Sequence, residues 1–397
     1  MLIWTSRALS TALLVLAAAL LAAYACGRFA SDRWLATQFI SWVPLWLILP
    51  ATWLVAAGAW LAGAPARRLR RRAARRLARA AGQRAPSRPA RPGAHWAILL
   101  AALVVQGGDA AWRLRLDRLV RPAPRLTDKP VVRLVHWNAM SPDTYPRDVT
   151  LPPILGRFDP DIMLFAMALS PAQTQTVMSQ VSPQYTQHSF GFFHVLSRVP
   201  LRHAQSFSLR LARDLPAGLD RGDPRQIAPP PDETRHTFEY VYNVAARQLG
   251  LPPRFFRNTD PGSILVLRFD GPNRLARELV VWYIDLPSDP FLAKAVLAEQ
   301  VVRRMAEIVR DTGTEPDFIV GDFNIPRDSA SLVRIAGQRR SAFDDAGWGF
   351  FSTWPRARPA LHIDHMFMSG AWRCVAYQRE DPGRSDHCVQ SAVFQAR

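Results

Sequence analysis

Nineteen consecutive residues without a charge, Ala8 to Cys26, constrain this chain more than any other feature. A Leu- and Ala-rich run of that length can cross a bilayer only as a helix. In lipid, every backbone N–H and C=O must be satisfied inside the protein. Phe39 to Gly63 is a second uncharged run, of 25 residues, carrying Trp42, Trp46, Trp53 and Trp60. Pro44 and Pro50 are expected to bend it. A third run, Ala94 to Gly108, is shorter, closed by Asp109 and bracketed by Trp96 and Trp112. It reads as a third span or as an interfacial or buried helix. The expectation is an all-α transmembrane region over residues 1–112, with about three helices near 8–26, 39–63 and 94–112. A cleaved signal peptide is the other reading of residues 1–26.

Residues 64–93 read as a basic loop, with eleven arginines between Arg67 and Arg91. Much of the formal net charge of +18 belongs to this segment. The charge is therefore poor evidence that the folded part binds nucleic acid. A basic loop between spans stays cytoplasmic. With three spans, everything after Trp112 lies outside the cytoplasm. Arg113, Arg115, Arg118, Arg121 and Arg125 weigh against that orientation without reversing it. The basic loop is compatible both with a solvated linker and with contact to anionic lipid. The three cysteines, Cys26, Cys374 and Cys388, match no zinc motif and make no disulfide framework. Cys374 and Cys388 fall on strands that could be neighbours, and their pairing is left open.

Residues 113–130 read as a linker, stiffened by Arg121-Pro122-Ala123-Pro124-Arg125, and residues 131–397 as one domain. Val131–Trp137, ending on Asn138, is β-branched and aromatic and reads as a strand. So do Pro160–Phe165, Phe192–Arg198, Ile264–Asp270 and Leu279–Leu286, the last two paired through Gly271-Pro272-Asn273. A helix follows, with Asp289 as cap, Pro290 in its first turn, an apolar stripe of Leu297, Val301, Met305 and Ile308, and Gly313 at its end. Leu361–Phe367, Trp372–Tyr377 and Val389–Phe394 are short and strand-like. Residues 202–262 break the pattern, with Pro229-Pro230-Pro231 and Pro252-Pro253, and read as an insertion with one helix near Phe238–Leu249. His136 and His194 lie on apolar strands and read as packed. Trp348, Phe350, Phe351 and Trp354 fit either a cleft wall or core packing.

Three short stretches carry the chemistry. Phe318-Ile319-Val320-Gly321-Asp322-Phe323-Asn324 is a core strand that ends by presenting an acid and an amide around one aromatic. His362-Ile363-Asp364-His365-Met366-Phe367 and Arg384-Ser385-Asp386-His387 each set acid and imidazole beside an apolar strand. Together with the strand ending on Asn138, the Pro160-Asp161 strand and Leu196-Ser197-Arg198-Val199-Pro200-Leu201, this order resembles the endonuclease/exonuclease/phosphatase superfamily, which includes the deoxyribonuclease I-like enzymes. The resemblance runs from about Val131 to the C-terminus, and the N-terminal region is similar to that of bacterial membrane-anchored members. It implies an α/β (α+β) fold, a four-layer αββα sandwich of two mixed sheets. It also implies metal-dependent hydrolysis of a phosphodiester or phosphomonoester, with Mg2+ (or Mn2+) as cofactor.

By that resemblance Asn138 and Asp386 lie at the metal, and Asp322 orients or deprotonates the attacking water. Asn324 holds a phosphate oxygen, and Asp364 pairs with His387 to favour the imidazolium. The implied setting is the bacterial inner (plasma) membrane, multi-pass, with the C-terminal domain periplasmic. A lipid head group or nucleic acid is the expected substrate, and no particular protein partner is indicated. Two positions depart from the family pattern. A Gln-Glu pair whose Glu binds the metal is matched here by Ala166-Met167, and a His-Leu pair by Asp285-Leu286. Three readings follow: an active enzyme in which Asp285 supplies the missing carboxylate to the metal, a pseudoenzyme that binds a phosphoester or protein partner without hydrolysis, and a membrane scaffold.

Overall fold

The computed structural model describes residues 2–80, 94–121, 124–139, 151–167, 175, 178–209, 262–271, 275–288, 293–383 and 385–397. The chain divides into two compact units, Met1–Ser31 with Ala36–Arg113, and Asp32–Leu35 with Leu114–Arg397.

In the first unit, α1 runs over Leu2–Ala30, longer at both ends than the expected span. The expected helix 39–63 is instead two helices, α2 (Leu35–Trp42) and α3 (Leu45–Ala62). Pro44, with no N–H to donate, stands at the N-cap of α3 in an extended conformation, while Pro50 is carried inside α3 without ending it. The arginine-rich segment is not a loop over its first half: Ala64–Ala80 is helical (α4), as Ala and Arg favour. The remainder of the basic stretch lies outside the described residues. Ala94–Ala102 (α5), a π-helical turn at Leu103–Gly107 and Gly108–Arg113 (α6) form one continuous helical stretch. Polar clips hold this unit together. Buried Gln106 donates to Thr52 Oγ1 at 3.1 Å, and Asp109 pairs with Arg28 at 2.7 Å. By length and composition, two helices among the described residues could cross a membrane, Trp4–Ala30 and Trp46–Leu69.

The second unit is built on two six-stranded mixed sheets. Its strands are β1 (Val131–Asn138), β2 (Ile162–Ala166), β3 (Thr186–Phe190), β4 (Phe193–Ser197), β5 (Leu201–Ser208), β6 (Ser263–Phe269), β7 (Leu279–Asp285), β8 (Phe318–Asp322), β9 (Arg340–Ser341), β10 (Asp364–Met368), β11 (Trp372–Glu380) and β12 (Val389–Ala396). One sheet has the order β11-β12-β1-β2-β4-β3, the other β5-β6-β7-β8-β10-β9. β1 and β2 run parallel, as do β7 and β8, and the other pairings are antiparallel.

Side-chain alternation sorts the layers. Val132, Leu134, Ile162, Leu164, Val281, Tyr283, Phe318, Val320, Met366 and Phe394 meet between the sheets. The opposite parity of β7 and β8, Trp282, Ile284 and Ile319, packs on the helices α8 (Lys294–Thr312) and α9 (Ala330–Ala336). Val135, Trp137, Met163 and Phe165 pack outward against α7 (Pro152–Phe158). Helix, sheet, sheet, helix: the four-layer sandwich implied by the resemblance is present.

Some boundaries differ from the sequence reading. The residues expected to open the insertion form β5, which pairs with β6 from Leu201↔Phe269 to Ser208↔Ser263. Exposure on most of this edge strand hid its period-two signal. The helix expected near Phe238–Leu249 lies outside the described residues, as do Asp289, Pro290, Pro272 and Asn273. α8 starts at Lys294 with Ala293 at its N-cap, and the expected stripe of Leu297, Val301, Met305 and Ile308 is buried as read. Cys374 and Cys388 are free thiols, and Cys374 faces Phe394 across β11 and β12.

Candidate active site

Parity brings the site together. On β1, Asn138 shares the inward face of Val132 and Leu134; on β7, Asp285 shares that of Val281 and Tyr283. Asp322 of β8 and Asp364 of β10 likewise follow Val320 and precede Met366. Register then aligns the strand ends, with Asp285 beside Asp322 and Asp322 opposite Asp364. The four polar side chains therefore close one end of the space between the sheets. All are buried: Asn138 is 5 % exposed, Asp285 6 %, Asp322 2 % and Asp364 0 %.

Gly321 permits this alignment. Its φ is +149°, and a Cβ there would lie 1.8 Å from the carbonyl oxygen of Ile284. Only glycine lets β8 approach β7 this closely just before Asp322. The chain then turns sharply. The Asn324 N–H donates to Asp322 Oδ1 at 2.8 Å, with Asn324 left-handed at φ 49° and Phe323 fully buried between them. The Asn324 side chain donates one amide hydrogen to the Leu286 carbonyl at 2.7 Å. Asp322 Oδ2 accepts from Asn138 Nδ2 at 2.8 Å.

His387 sits between two of the carboxylates. Its Nδ1 donates to Asp364 Oδ2 at 2.9 Å, and its Nε2 lies 3.7 Å from Asp322 Oδ2. Burial works against the imidazolium, but Asp364 and then Asp322 outweigh it and push the His387 pKa up to about 10. Asp364 is held ionised below the usual carboxylate range: burial opposes the charge, and the imidazolium overcomes it. Asp322 goes the other way, raised to about 7 by burial and by repulsion from Asp364. The cluster thus holds a charged pair beside a carboxyl that titrates near neutrality.

The loop before β12 is fixed by groups the sequence reading did not assign. Ser385, left-handed at φ 64°, donates its hydroxyl to the Asn138 carbonyl at 2.7 Å and accepts the His387 N–H at 3.1 Å. Thr353 Oγ1 accepts the N–H groups of Ile363 and Asp364 at 3.2 and 3.3 Å. Gln390 Nε2 donates to the Asp364 carbonyl at 2.7 Å. Beneath the site, His136 is fully buried, with Nδ1 3.9 Å from Asp364 Oδ1 and its ring edge on Tyr283. Burial pushes His136 down to about 4 and keeps it neutral, and it raises the Tyr283 phenol, with Asp285, Asp364 and Asp322 adding to the effect. His136 and Tyr283 share the parity of Asn138 and Asp285, and that period of two was the available signal for both.

Asp386 stands on the same loop. Its Oδ2 accepts from Trp354 Nε1 at 3.0 Å, while Oδ1 is buried without a hydrogen-bond partner among the described residues. A buried carboxylate oxygen with no donor is costly unless a cation faces it. Asn138, Asp285 and Asp386 each carry a hard oxygen donor of the kind divalent magnesium or manganese takes. The donor chemistry fits a hard divalent ion. Among the described residues, the acidic and imidazole groups whose ligand atoms cluster, within 4.8 Å of one another, are Asp322, Asp364 and His387. Both His387 nitrogens already face carboxylates, however, so this triad reads as an ion-pair cluster rather than a ligand set. Met167 contributes nothing to the site: its side chain packs outward with Phe165 and Met178, and its carbonyl bonds His194 Nε2 at 3.1 Å.

A model of the Endonuclease/Exonuclease/phosphatase family matches residues 135–387. Among solved structures, the chain is similar to an endonuclease/exonuclease/phosphatase family protein from Bacteroides thetaiotaomicron, at 13 % identity and TM-score 0.47 over 68 % of this chain and 99 % of that one. It is similar to another from Bacteroides vulgatus, at 16 % identity and TM-score 0.46 over 68 % and 100 %. A mannosyl-6-phosphatase from Bacteroides thetaiotaomicron VPI-5482 matches at 14 % identity and TM-score 0.45 over 66 % and 99 %. No curated protein matches the sequence.

Proposed function

The chain belongs to the Endonuclease/Exonuclease/phosphatase family, and on that premise we propose that it is a membrane-attached, metal-dependent phosphoesterase with an altered metal site. The observation that carries this reading is the placement of His387 between Asp364 and Asp322, at 2.9 and 3.7 Å. An imidazolium fixed by a buried carboxylate is a preorganised cation for the charge that builds on phosphate oxygens during in-line displacement. Asp322, held by the Asn324 N–H and Asn138 Nδ2, orients the attacking water and accepts its proton, for which a pKa near 7 is suited. The second amide hydrogen of Asn324 serves a phosphate oxygen.

Asn138, Asp386 and Asp285 would hold the divalent ion, Mg2+ or Mn2+. When bound, it supplies charge neutralisation at the phosphate and lowers the pKa of water. Asp285 takes the place of the carboxylate absent at Met167. Substrate is a phosphoester, a lipid head group or nucleic acid. Helices α1 and α3 and the helical stretch Ala94–Arg113 support attachment to a membrane. The arginines of α4 support a cytoplasmic position for that helix and, with Ala94–Arg113 as a third span, an extracytoplasmic one for the sandwich.

The competing reading is a domain that binds a phosphoester or a protein partner without hydrolysing it, and the outward packing of Met167 favours it. Magnesium calorimetry on the full chain separates the two. Binding in wild type that is lost in both Asp285→Ala and Asp386→Ala supports the rearranged site. No binding in wild type, regained in the double variant Met167→Glu, Asp285→His, supports the binder.

A further inference from the structure

Two sequence-distant apolar pairs of the second unit are exposed on segments that hydrogen bonds join. Leu119 and Val120 follow the last membrane-region helix and are 65 and 81 % exposed; Trp348 and Phe350 follow the short helix α10 (Ala342–Ala346) and are 56 and 48 % exposed. The two segments are pinned together. The Gly349 N–H donates to the Leu114 carbonyl at 2.7 Å, and Arg118 donates to the Asp344 carbonyl at 2.8 Å. Apolar side chains this large, displayed from a turn of 3-10 helix (Leu116–Leu119) and a loop both held by hydrogen bonds, form a built face.

We propose that this face seats the sandwich on the bilayer that holds the chain, with Trp348 and Phe350 in the interfacial layer. The inference rests on the membrane attachment proposed above. Leu114 directly follows the helical stretch Ala94–Arg113, so the residues up to Val120 are tethered within a few residues of its end. The amphipathic indole of Trp348 prefers the headgroup level, and Phe350 adds apolar surface to the same loop. The charge balance suits anionic headgroups. Asp117 and Asp344 are paired with Arg115 at 3.0 and 3.5 Å, and Asp344 also with Arg327 at 2.6 Å, while Arg121 and Arg125 stay exposed at the rim. Seating by this face leaves the active site uncovered. α10 is tied to the Trp372 end of β11, through Cys374 N–H to Asp345 Oδ2 at 3.2 Å and through Arg340 of β9, which donates to Asp345 Oδ1 at 2.9 Å and to the Trp372 carbonyl at 2.8 Å. The site lies at the other end of the same strand, where Glu380 pairs with Val389.

The test is collision accessibility of nitroxide labels on the full chain in phosphatidylcholine/phosphatidylglycerol nanodiscs. In a Cys26→Ser background, which leaves only the buried thiols, labels go on Trp348→Cys and Phe350→Cys. Leu54→Cys in α3 serves as the apolar reference and Arg157→Cys in α7, which pairs with Glu380 at the far end of β11, as the aqueous one. The expected result is oxygen preferred over a nickel chelate at 348 and 350, as at 54, with the reverse at 157. Chelate access at 348 and 350 equal to that at 157, with 54 lipid-exposed, overturns the seating and leaves the membrane reading intact. Chelate access at 54 as well overturns both. Dipolar broadening between labels at 348 on separate chains would show a second copy on this face and also overturn the seating.

Discussion

His387 keeps its proton because two buried carboxylates face it, and that couples charge to rate at the scale of one residue. Replacing it (His387→Ala) leaves Asp364 and Asp322 facing each other without a cation, so phosphoester turnover is expected to fall by at least about a hundredfold. The fold should survive, as a thermal melt will check. Asp364→Asn is expected to match that loss, because a neutral amide no longer favours the imidazolium. Thr353 acts through Asp364 and not on substrate. Thr353→Val removes the acceptor of two buried N–H groups and is expected to cost about 1–3 kcal/mol in denaturant unfolding. Thr353→Ser restores most of it. The sequence showed Asp322, Asp364 and His387 because their motifs are contiguous and chemically unusual. Thr353, Ser385 and Gln390 were not legible, since a hydroxyl or amide reveals its partner only after a loop has folded back.

At the scale of elements, period-two burial made the central strands readable, and the same parity decides which polar residues reach the site. Edge strand β5 lost its signal because most of it faces solvent, and α8 is described from Lys294, with the expected cap Asp289-Pro290 outside the described residues. Pro44 was expected to bend a helix and instead begins one. Gly321 is the tightest joint between elements: Gly321→Ala places a methyl on the Ile284 carbonyl and is expected to cost at least about 2 kcal/mol and to displace Asp322. Unfolding midpoints with activity in the same preparations will check both. On β10 and just before it, burial depresses His365 to about 4 and His362 well below its ordinary value, with ring centroids 4.9 Å apart. Their folded pKa values lie below the unfolded one, so the unfolded chain takes up more protons in this range. The stability they contribute is complete above about pH 6.5 and is lost as pH falls towards 4. The melting temperature is therefore expected to drop over that window, and less steeply in His365→Gln.

For the whole molecule, composition announced a membrane region followed by a domain; the chain divides into two compact units, with Asp32–Leu35 grouped with the second. The four-layer sandwich was legible only through the resemblance, because no local pattern states which faces of two sheets will meet. The substituted positions are intelligible only at this scale. Met167 belongs to the apolar layer under α7, whereas Asp285 ends a strand whose inward face leads to Asp322. On the proposed reading, the metal's carboxylate comes from Asp285 on one sheet instead of from position 167 on the other. The most direct measurement is turnover of bis(p-nitrophenyl) phosphate and p-nitrophenyl phosphate by the full chain with magnesium, beside His387→Ala and Asp285→Ala. Metal-dependent cleavage of either ester by wild type, abolished in both variants, is the expected result. No cleavage by wild type, or cleavage that survives in His387→Ala, would contradict the assignment of this site as a phosphoesterase.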